Sequence, residues 1–122
     1  MMKTKILIFE NEKIIGEALK LILLDEGYLV HVENTVEQIN EIIDNFKPSI
    51  IITARKFPKL TAIDIIKIIR QNVFSKNVPI IYITGSGEQR KEALDAGANI
   101  SIFKPIDINK FLFSIKSFAN LN

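Results

Sequence analysis

The stretch IIITARKFPKL, Ile50 to Leu60, governs the interpretation of the rest of the chain. It opens with an apolar, β-branched run, which is typical of a buried strand. The run stops at Thr53-Ala54, and a basic segment that contains Pro58 follows. A short, continuously apolar strand that ends abruptly in a polar loop indicates a parallel sheet that is covered on both faces.

The same unit recurs along the chain, with each apolar run followed by a segment of helical periodicity. The predicted strands are KILIF (5–9), YLVHV (28–32), SIIIT (49–53), PIIYIT (79–84) and ISIF (100–103). The predicted helices fall within 11–27, 35–46, 60–72, 87–98 and 107–120. We expect Thr35 and Asp107 to be N-caps, and Gly27 and Gly97 to end helices. Five strands alternating with five helices predict one α/β domain over residues 1–122.

Composition excludes several classes of protein. The net charge of +2 includes no Lys/Arg block, which argues against a nucleic-acid partner. The chain has no cysteine, so disulfides and thiolate metal sites are excluded. No apolar run approaches the roughly 20 residues of a membrane span. We therefore expect a cytoplasmic protein with no membrane partner. His31 has no partner motif and is interpreted as a surface histidine.

In open parallel sheets, functional residues lie beyond the carboxyl ends of the strands. Four segments fall there: Phe9-Glu10-Asn11, Thr53-Ala54-Arg55, Thr84-Gly85 and Phe103-Lys104. No nucleophile–base pair and no carboxylate pair converges among them, so we predict that the protein is not an enzyme.

Several of these segments, in this order, resemble the receiver domain of two-component response regulators. The resemblance rests on KILIFENE, GYLVHV, PSIIITARKFPKLTAIDIIKIIR, VPIIYITG and ALDAGANISIFKP, and it covers nearly the whole chain. It implies a flavodoxin-like, doubly wound sheet in the order 2-1-3-4-5 and a role in phosphorelay signal transduction. In that family an aspartate accepts a phosphoryl group, beside an acidic pair that holds Mg²⁺, a hydroxyl residue and a lysine.

The resemblance assigns each of these roles to a position in this sequence. Ala54 falls on the phosphoacceptor, and the acidic pair becomes Glu10 and Asn11. Thr84 falls on the hydroxyl residue and Lys104 on the lysine, whereas Ser101 falls where a switching aromatic usually lies. The resemblance therefore implies a degenerate receiver, a pseudo-receiver without its phosphoacceptor, with no catalytic residue and no cofactor.

Two uses of the altered pocket remain open. With Ala54 and Asn11 neutral, little like charge is left for a cation to compensate, so no metal site and no Mg²⁺ binding are expected. In the first, structural use, Lys104 forms an ion pair with Glu10. In the second, Lys104 and the loop TGSGEQR (84–90) bind a small anion.

A rigid surface remains available for protein contacts. The resemblance directs attention to the fourth helix, fifth strand and fifth helix, where the candidate interface residues are Lys91, Asp95, Lys110 and Phe113. The predicted buried stripe of the last helix is Ile108, Phe111, Leu112, Ile115, Phe118 and Ala119, and Phe113 lies off it. Association surfaces are also considered at Leu24, Ile68, Phe57 and the basic loop Arg55 to Lys59.

The leading hypothesis is a stand-alone receiver that acts by phosphorylation-independent contact with a signalling protein or with a second copy of itself. A histidine kinase, a response regulator and an effector are the expected kinds of partner. The alternative is a binding module that responds to an anion or small ligand in the emptied pocket. Which partner it binds, whether it dimerises and which signalling conformation it adopts are left open by the sequence.

Overall fold

A computed structural model describes residues 3–54, 57–85, 87 and 89–120. The strands are β1 (Lys5–Phe9), β2 (Leu29–Glu33), β3 (Ile50–Ala54), β4 (Ile80–Thr84) and β5 (Ile100–Phe103). The helices are α1 (Lys13–Asp25), α2 (Ile39–Phe46), α3 (Ala62–Gln71), α4 (Arg90–Ala96) and α5 (Ile108–Ala119). The predicted alternation is confirmed. Arg55 and Lys56 of the basic loop, and Ser86 and Glu88 of the TGSGEQR loop, lie outside the described residues.

The strands form one parallel sheet in the order β2-β1-β3-β4-β5, which confirms the predicted topology. β3 and β4 are buried along their whole lengths, because helices cover both faces of the sheet. That burial explains why their sequences are continuously apolar and do not alternate. None of the described helices is long and apolar enough to cross a membrane.

Alternate side chains of the strands enter two separate cores. Leu7, Phe9 and Tyr82 pack with α2, α3 and α4 on one face of the sheet. Ile6 and Ile8 pack with α1 and α5 on the other. This arrangement fixes which helices share a face, and it places every βα loop at one edge of the sheet.

Side-chain caps begin α3 and α5, and a glycine with positive φ follows α4. The side chain of Asp107 accepts a hydrogen bond from the backbone N–H of Lys110 at 3.1 Å, so the predicted cap of α5 is confirmed. Gly97 follows α4 with φ +129°, as its predicted role as a terminator requires. The prediction that Thr35 caps α2 is wrong, because the helix begins four residues later, after Gln38. Residues 35–38 belong to the preceding loop.

Three side chains depart from their predicted burial. Ile108 was placed in the buried stripe of α5 but is 46% exposed, because it is the first residue of the helix. Phe57 is buried and Ile68 packs against the core on the α3 side, so neither offers the association surface considered for it. Leu24 is exposed, as expected.

Arg70, in the last turn of α3, joins three segments of the chain. Its guanidinium donates to the carbonyl oxygens of Ser75, Val78 and Gly97, the last at 2.7 Å. It also donates to Asn99 Oδ1 at 3.0 Å, and burial lowers its pKa from the usual value. The end of α4 is therefore attached to α3 and to the start of β5.

Candidate functional site

A cavity of about 200 Å³ opens at the carboxyl edge of the sheet, between the ends of β1, β3 and β4. It is lined by Glu10, Asn11, Glu12, Ala54, Ile83, Gly85 and Lys104. Four of these residues, Glu10, Asn11, Ala54 and Lys104, were assigned to one pocket from the sequence alone. The structure brings all four together.

Glu10 supplies a buried carboxylate to this cavity, with only 3% of the residue exposed. Its Oε2 accepts a hydrogen bond from the backbone N–H of Glu12 at 3.0 Å. The Glu10 backbone is held between neighbours, because its N–H donates to the Glu33 carbonyl and its carbonyl accepts from Asn34 Nδ2 at 2.8 Å. The carboxylate is thus positioned by the β1–α1 and β2–α2 loops.

Ala54 ends β3 and contributes a methyl group to the cavity wall. Its register partner on β4 is Ile83, which also lines the cavity. Thr53 is fully buried on the opposite side of the strand, and its hydroxyl donates to the Ala54 carbonyl at 3.2 Å. The strand therefore offers no side-chain oxygen from Thr53 or Ala54 to a ligand in the cavity.

Lys104 reaches the cavity from the end of β5. Its backbone N–H donates to the Thr84 carbonyl at 2.9 Å, and its peptide bond to Pro105 is cis. Thr84 is buried beside the cavity but is not part of its wall. The predicted ion pair with Glu10 is not formed, since the salt bridges between described residues join other side chains. The Glu10 carboxylate accepts a hydrogen bond from the backbone N–H of Glu12 instead.

The charges of the cavity wall decide what it can accept. Its lining residues include two glutamates, Glu10 and Glu12, and one lysine, Lys104. A simple anion would lie near the buried Glu10 carboxylate, which disfavours anion binding. Within the described residues, no three histidine, aspartate or glutamate side chains are grouped as a metal site requires.

Ser101 lies away from this cavity, on the outer side of β5. It lines a wider groove of about 480 Å³ together with Phe103, Pro105, Lys110 and Ser114 among others. Its Oγ is buried and has no hydrogen-bond partner in the structure. The groove is the space that a large side chain at position 101 would fill.

The predicted interface residues are all exposed, on α4 and α5. Phe113 is 73% exposed, in agreement with its place outside the α5 stripe. Lys91 and Asp95 pair with each other on α4, at 3.3 Å. Lys110 is exposed and contributes to the groove wall. The face carries both charge signs around exposed aromatic rings.

Two features of the carboxyl edge were missed from the sequence. Glu12 and Ile83 line the cavity, although only Glu10 and Asn11 were assigned to the acidic positions. Glu12 follows Glu10 by two residues, and the loop turns back to place its N–H on the Glu10 carboxylate. An acidic residue so close to the end of β1 is the feature of the sequence that could have identified Glu12 as part of the cavity wall.

His31 is a surface histidine, as predicted, since 45% of its side chain is exposed. Its Nε2 also lies 2.6 Å from Glu33 Oε1, a contact that the sequence did not predict. Its ring also contacts the ring of Phe46, with 5.7 Å between centroids. These contacts place it on the β2 edge of the sheet, far from the cavity that Ala54 lines.

Comparisons with known proteins agree with the fold. The sequence matches the response regulator receiver domain family over residues 6–116. It is 28% identical to sporulation initiation phosphotransferase F of Bacillus subtilis, over 99% of this chain and 98% of that protein. It is 30% identical to chemotaxis protein CheY1 of Helicobacter pylori, over 83% of this chain and 85% of that protein.

Other curated relatives are longer than this chain. The chain covers 50% of the phosphate regulon transcriptional regulatory protein PhoB of Pseudomonas aeruginosa, at 28% identity. It therefore spans about half the length of several of the curated relatives that it matches.

Solved structures show the same architecture. The receiver domain of a response regulator from Clostridium thermocellum superposes with a TM-score of 0.87 at 25% identity, over 96% of this chain and 94% of that one. The chemotaxis response regulator CheY4 of Vibrio cholerae also gives 0.87, at 22% identity, over 96% and 99%. The chain therefore belongs to the response regulator receiver domains, the signalling domains of two-component systems.

Proposed function

We propose that this domain is a degenerate receiver that signals by protein–protein contact without being phosphorylated. The observation that carries the proposal is the methyl group of Ala54 in the cavity wall, at the position that the family resemblance assigns to the phosphoacceptor. A methyl group is neither a nucleophile nor a metal ligand. The adjacent acidic position is Asn11, so a divalent cation would also lack one of its expected charges.

The same reasoning extends to the output of the domain. A switching receiver needs an input at the acceptor and a residue that changes position in response. Ala54 removes the first, and Ser101 leaves an open groove where the resemblance expects an aromatic side chain. A domain without both parts is expected to hold one conformation and to present one fixed surface.

The surface best suited to a partner is the face formed by α4, β5 and α5. Phe113 and Phe103 expose aromatic rings there, and such rings often anchor interfaces. Lys91, Asp95 and Lys110 supply a polar rim. The partner that we propose is another signalling protein, such as a histidine kinase, a response regulator or an effector, or a second copy of the chain.

Phosphorylation is tested directly by mass. The purified protein is incubated with acetyl phosphate and Mg²⁺, and its intact mass is measured. We expect an unchanged mass. The matched control is the Ala54→Asp, Asn11→Asp double variant, which supplies the two missing carboxylates and is expected to gain one phosphoryl group. A phosphoryl adduct on the unaltered protein would disprove the proposal.

The interface is tested by affinity capture from a lysate of the native organism. Phe113→Asp is compared with Val73→Asp, since Val73 is a similarly exposed apolar residue in the α3–β4 connection. A partner that binds the parent and the Val73 variant, but not the Phe113 variant, assigns function to the proposed face. Equal capture by all three proteins would exclude Phe113 as an anchor.

The cavity itself supports one alternative, a receiver that responds to a small ligand. Its volume of about 200 Å³ is not filled by any side chain, and its lining residues include two glutamates and one lysine. Melting temperatures measured with phosphate, sulfate and small amino compounds test this alternative, because a ligand that binds only the folded state raises the melting temperature. A shift that is lost in Lys104→Ala or Glu10→Gln would locate the ligand in the cavity.

A further inference from the structure

The outer face of α1 carries an apolar patch that no element of the fold covers. It consists of Ile14, Ala18, Leu21 and Leu24, which recur at intervals of three and four residues. Ile14 is 85% exposed and Leu21 is 67% exposed. Single exposed apolar residues are ordinary, but a stripe at helical spacing has the form of a helix-packing seam.

The patch is distinct from the surface by which α1 packs on the sheet. Gly16, Leu19 and Leu23 make that contact and are buried. The packing is close, because a Cβ on Gly16 would lie 2.9 Å from Val32 Cγ1. The sheet therefore fixes the rotation of α1, and the patch points outward on a rigid helix.

Four charged residues lie within the patch or beside it on α1, and their order along the helix is self-complementary. Lys13 begins the helix and Asp25 ends it, while Glu17 and Lys20 lie between them. The salt bridges formed between described residues use other side chains, so these four charges are not paired with one another. Their positive and negative groups are placed symmetrically about the middle of the helix.

Antiparallel pairing of two copies of α1 would use this symmetry. A two-fold axis through the middle of the patch, at the same level along the helix as Leu19, sets Ile14 of one copy opposite Leu24 of the other. The same register sets Lys13 opposite Asp25. In the same register, Glu17 of one copy and Lys20 of the other differ by only about 1.5 Å in their positions along the helix axis.

A parallel arrangement would do the opposite, because it would set Lys13 against Lys13 and Asp25 against Asp25. Ala18 lies near the two-fold axis of the antiparallel pair, where its small side chain allows the helices to approach closely. An isologous contact of this kind closes on itself and forms a dimer and not a fibre.

We propose that the α1 patch is a homodimer interface, formed by antiparallel packing of α1 against α1 of a second copy. It lies on the opposite face of the sheet from α4 and is independent of the phosphorylation-independent function proposed above. The helix is about 20 Å long, so the contact is smaller than a standard interface, and the dimer is weak and concentration-dependent.

Sedimentation equilibrium of the purified protein at concentrations up to about 1 mM tests the proposal. We expect a monomer–dimer equilibrium whose dissociation constant rises at least about tenfold in Ile14→Glu and in Leu21→Glu. Each variant removes an aliphatic side chain that is exposed in the monomer and would be buried in the dimer. Val73→Glu is the matched control, because Val73 is 86% exposed and lies in another part of the fold. Circular dichroism checks that each variant is folded.

A charge exchange tests the antiparallel register. Lys13→Glu and Asp25→Lys are each expected to weaken the dimer, and the double variant is expected to regain parental affinity. Recovery in the double variant is specific to a contact between Lys13 of one copy and Asp25 of the other.

Three results would overturn the proposal. The first is a monomer throughout the concentration range. The second is a dimer that Ile14→Glu and Leu21→Glu leave intact. The third is a dimer that Phe113→Asp dissolves while the α1 variants do not, which would locate self-association on the α4–β5–α5 face.

Discussion

Replacement of Arg70 by methionine tests whether one guanidinium holds the α3, α4 and β5 segments together. Methionine keeps most of the aliphatic stem and removes all of the donors. The side chain donates six hydrogen bonds, to the carbonyl oxygens of Ser75, Lys76 and Val78, twice to the Gly97 carbonyl, and to Asn99 Oδ1.

The size of the effect follows from how these bonds are shared. A hydrogen bond from a charged donor contributes about 1.5–3 kcal/mol, but the five N–H groups of the guanidinium share six contacts to five acceptor atoms, and the longer contacts are weak. The group is only half-buried, so water can hydrate part of what the variant leaves open. Counting the two 2.7 Å bonds, to Val78 and Gly97, as the main contributors gives a loss of about 3 kcal/mol in the free energy of unfolding.

Equilibrium unfolding in urea measures this loss. We expect a lower midpoint with an unchanged m-value, because the folded and unfolded states expose similar surfaces in both proteins. Arg90→Met, on the exposed start of α4, is the control and should change stability by less than about 0.5 kcal/mol. A loss of under about 1 kcal/mol for Arg70→Met would refute the reasoning.

Three further predictions concern positions where the backbone or burial is constrained. Gly97→Ala should lower the free energy of unfolding in urea by about 1–3 kcal/mol, because φ is +129° and the new Cβ would lie 2.7 Å from Arg70 Cγ. A variant as stable as the parent would show that α4 does not need glycine at its end. Thr61→Ala should lower the free energy of unfolding by about 1 kcal/mol, because it removes the hydroxyl that caps α3 in a capping box with Asp64. Thr61→Ser keeps a hydroxyl and should retain most of that stability. Burial, and secondarily Glu26, raises the pKa of Tyr28 above 10.0, so its contribution to stability is complete below pH 10.0 and declines as pH rises through the folded-state pKa. Tyr28→Phe should remove that decline relative to the parent, and an identical pH profile for both proteins would contradict it.

Strand positions and sheet order were predictable because burial on both faces leaves a strong apolar signal. β1 and β5 were placed at their observed ends, and β2 and β3 were displaced by one residue. Such one-residue errors arise because the ends of a strand are set by its neighbours. Ile50, for example, begins β3 because it pairs with Ile6.

Loops were predicted less well, because their side chains follow no period. Phe57 was treated as a surface residue although it packs under the β3–α3 loop. Thr35 has the chemistry of an N-cap, but α2 begins after Gln38, and Thr35 lines a surface pocket. For α3, the N-cap Thr61 and its capping box with Asp64 are visible in the sequence but were not predicted.

The candidate site was predicted in its members but not in its contacts. The parallel topology brings the strand ends together, and this placed Glu10, Asn11, Ala54 and Lys104 around one cavity. Whether Glu10 and Lys104 form an ion pair across the cavity depends on where the β1–α1 loop directs one backbone N–H group. Glu12 supplies that group to Glu10, and the residue types of Glu10 and Lys104 do not indicate this hydrogen bond.

The unfilled space beside Ala54 bears on how this domain evolves. No neighbouring side chain has grown into the cavity, so a carboxylate at that position would meet open volume and not a steric clash. Under the proposed function, an acceptor carboxylate and its acidic neighbour could therefore be restored by two substitutions, at positions 54 and 11, without repacking of the cavity wall.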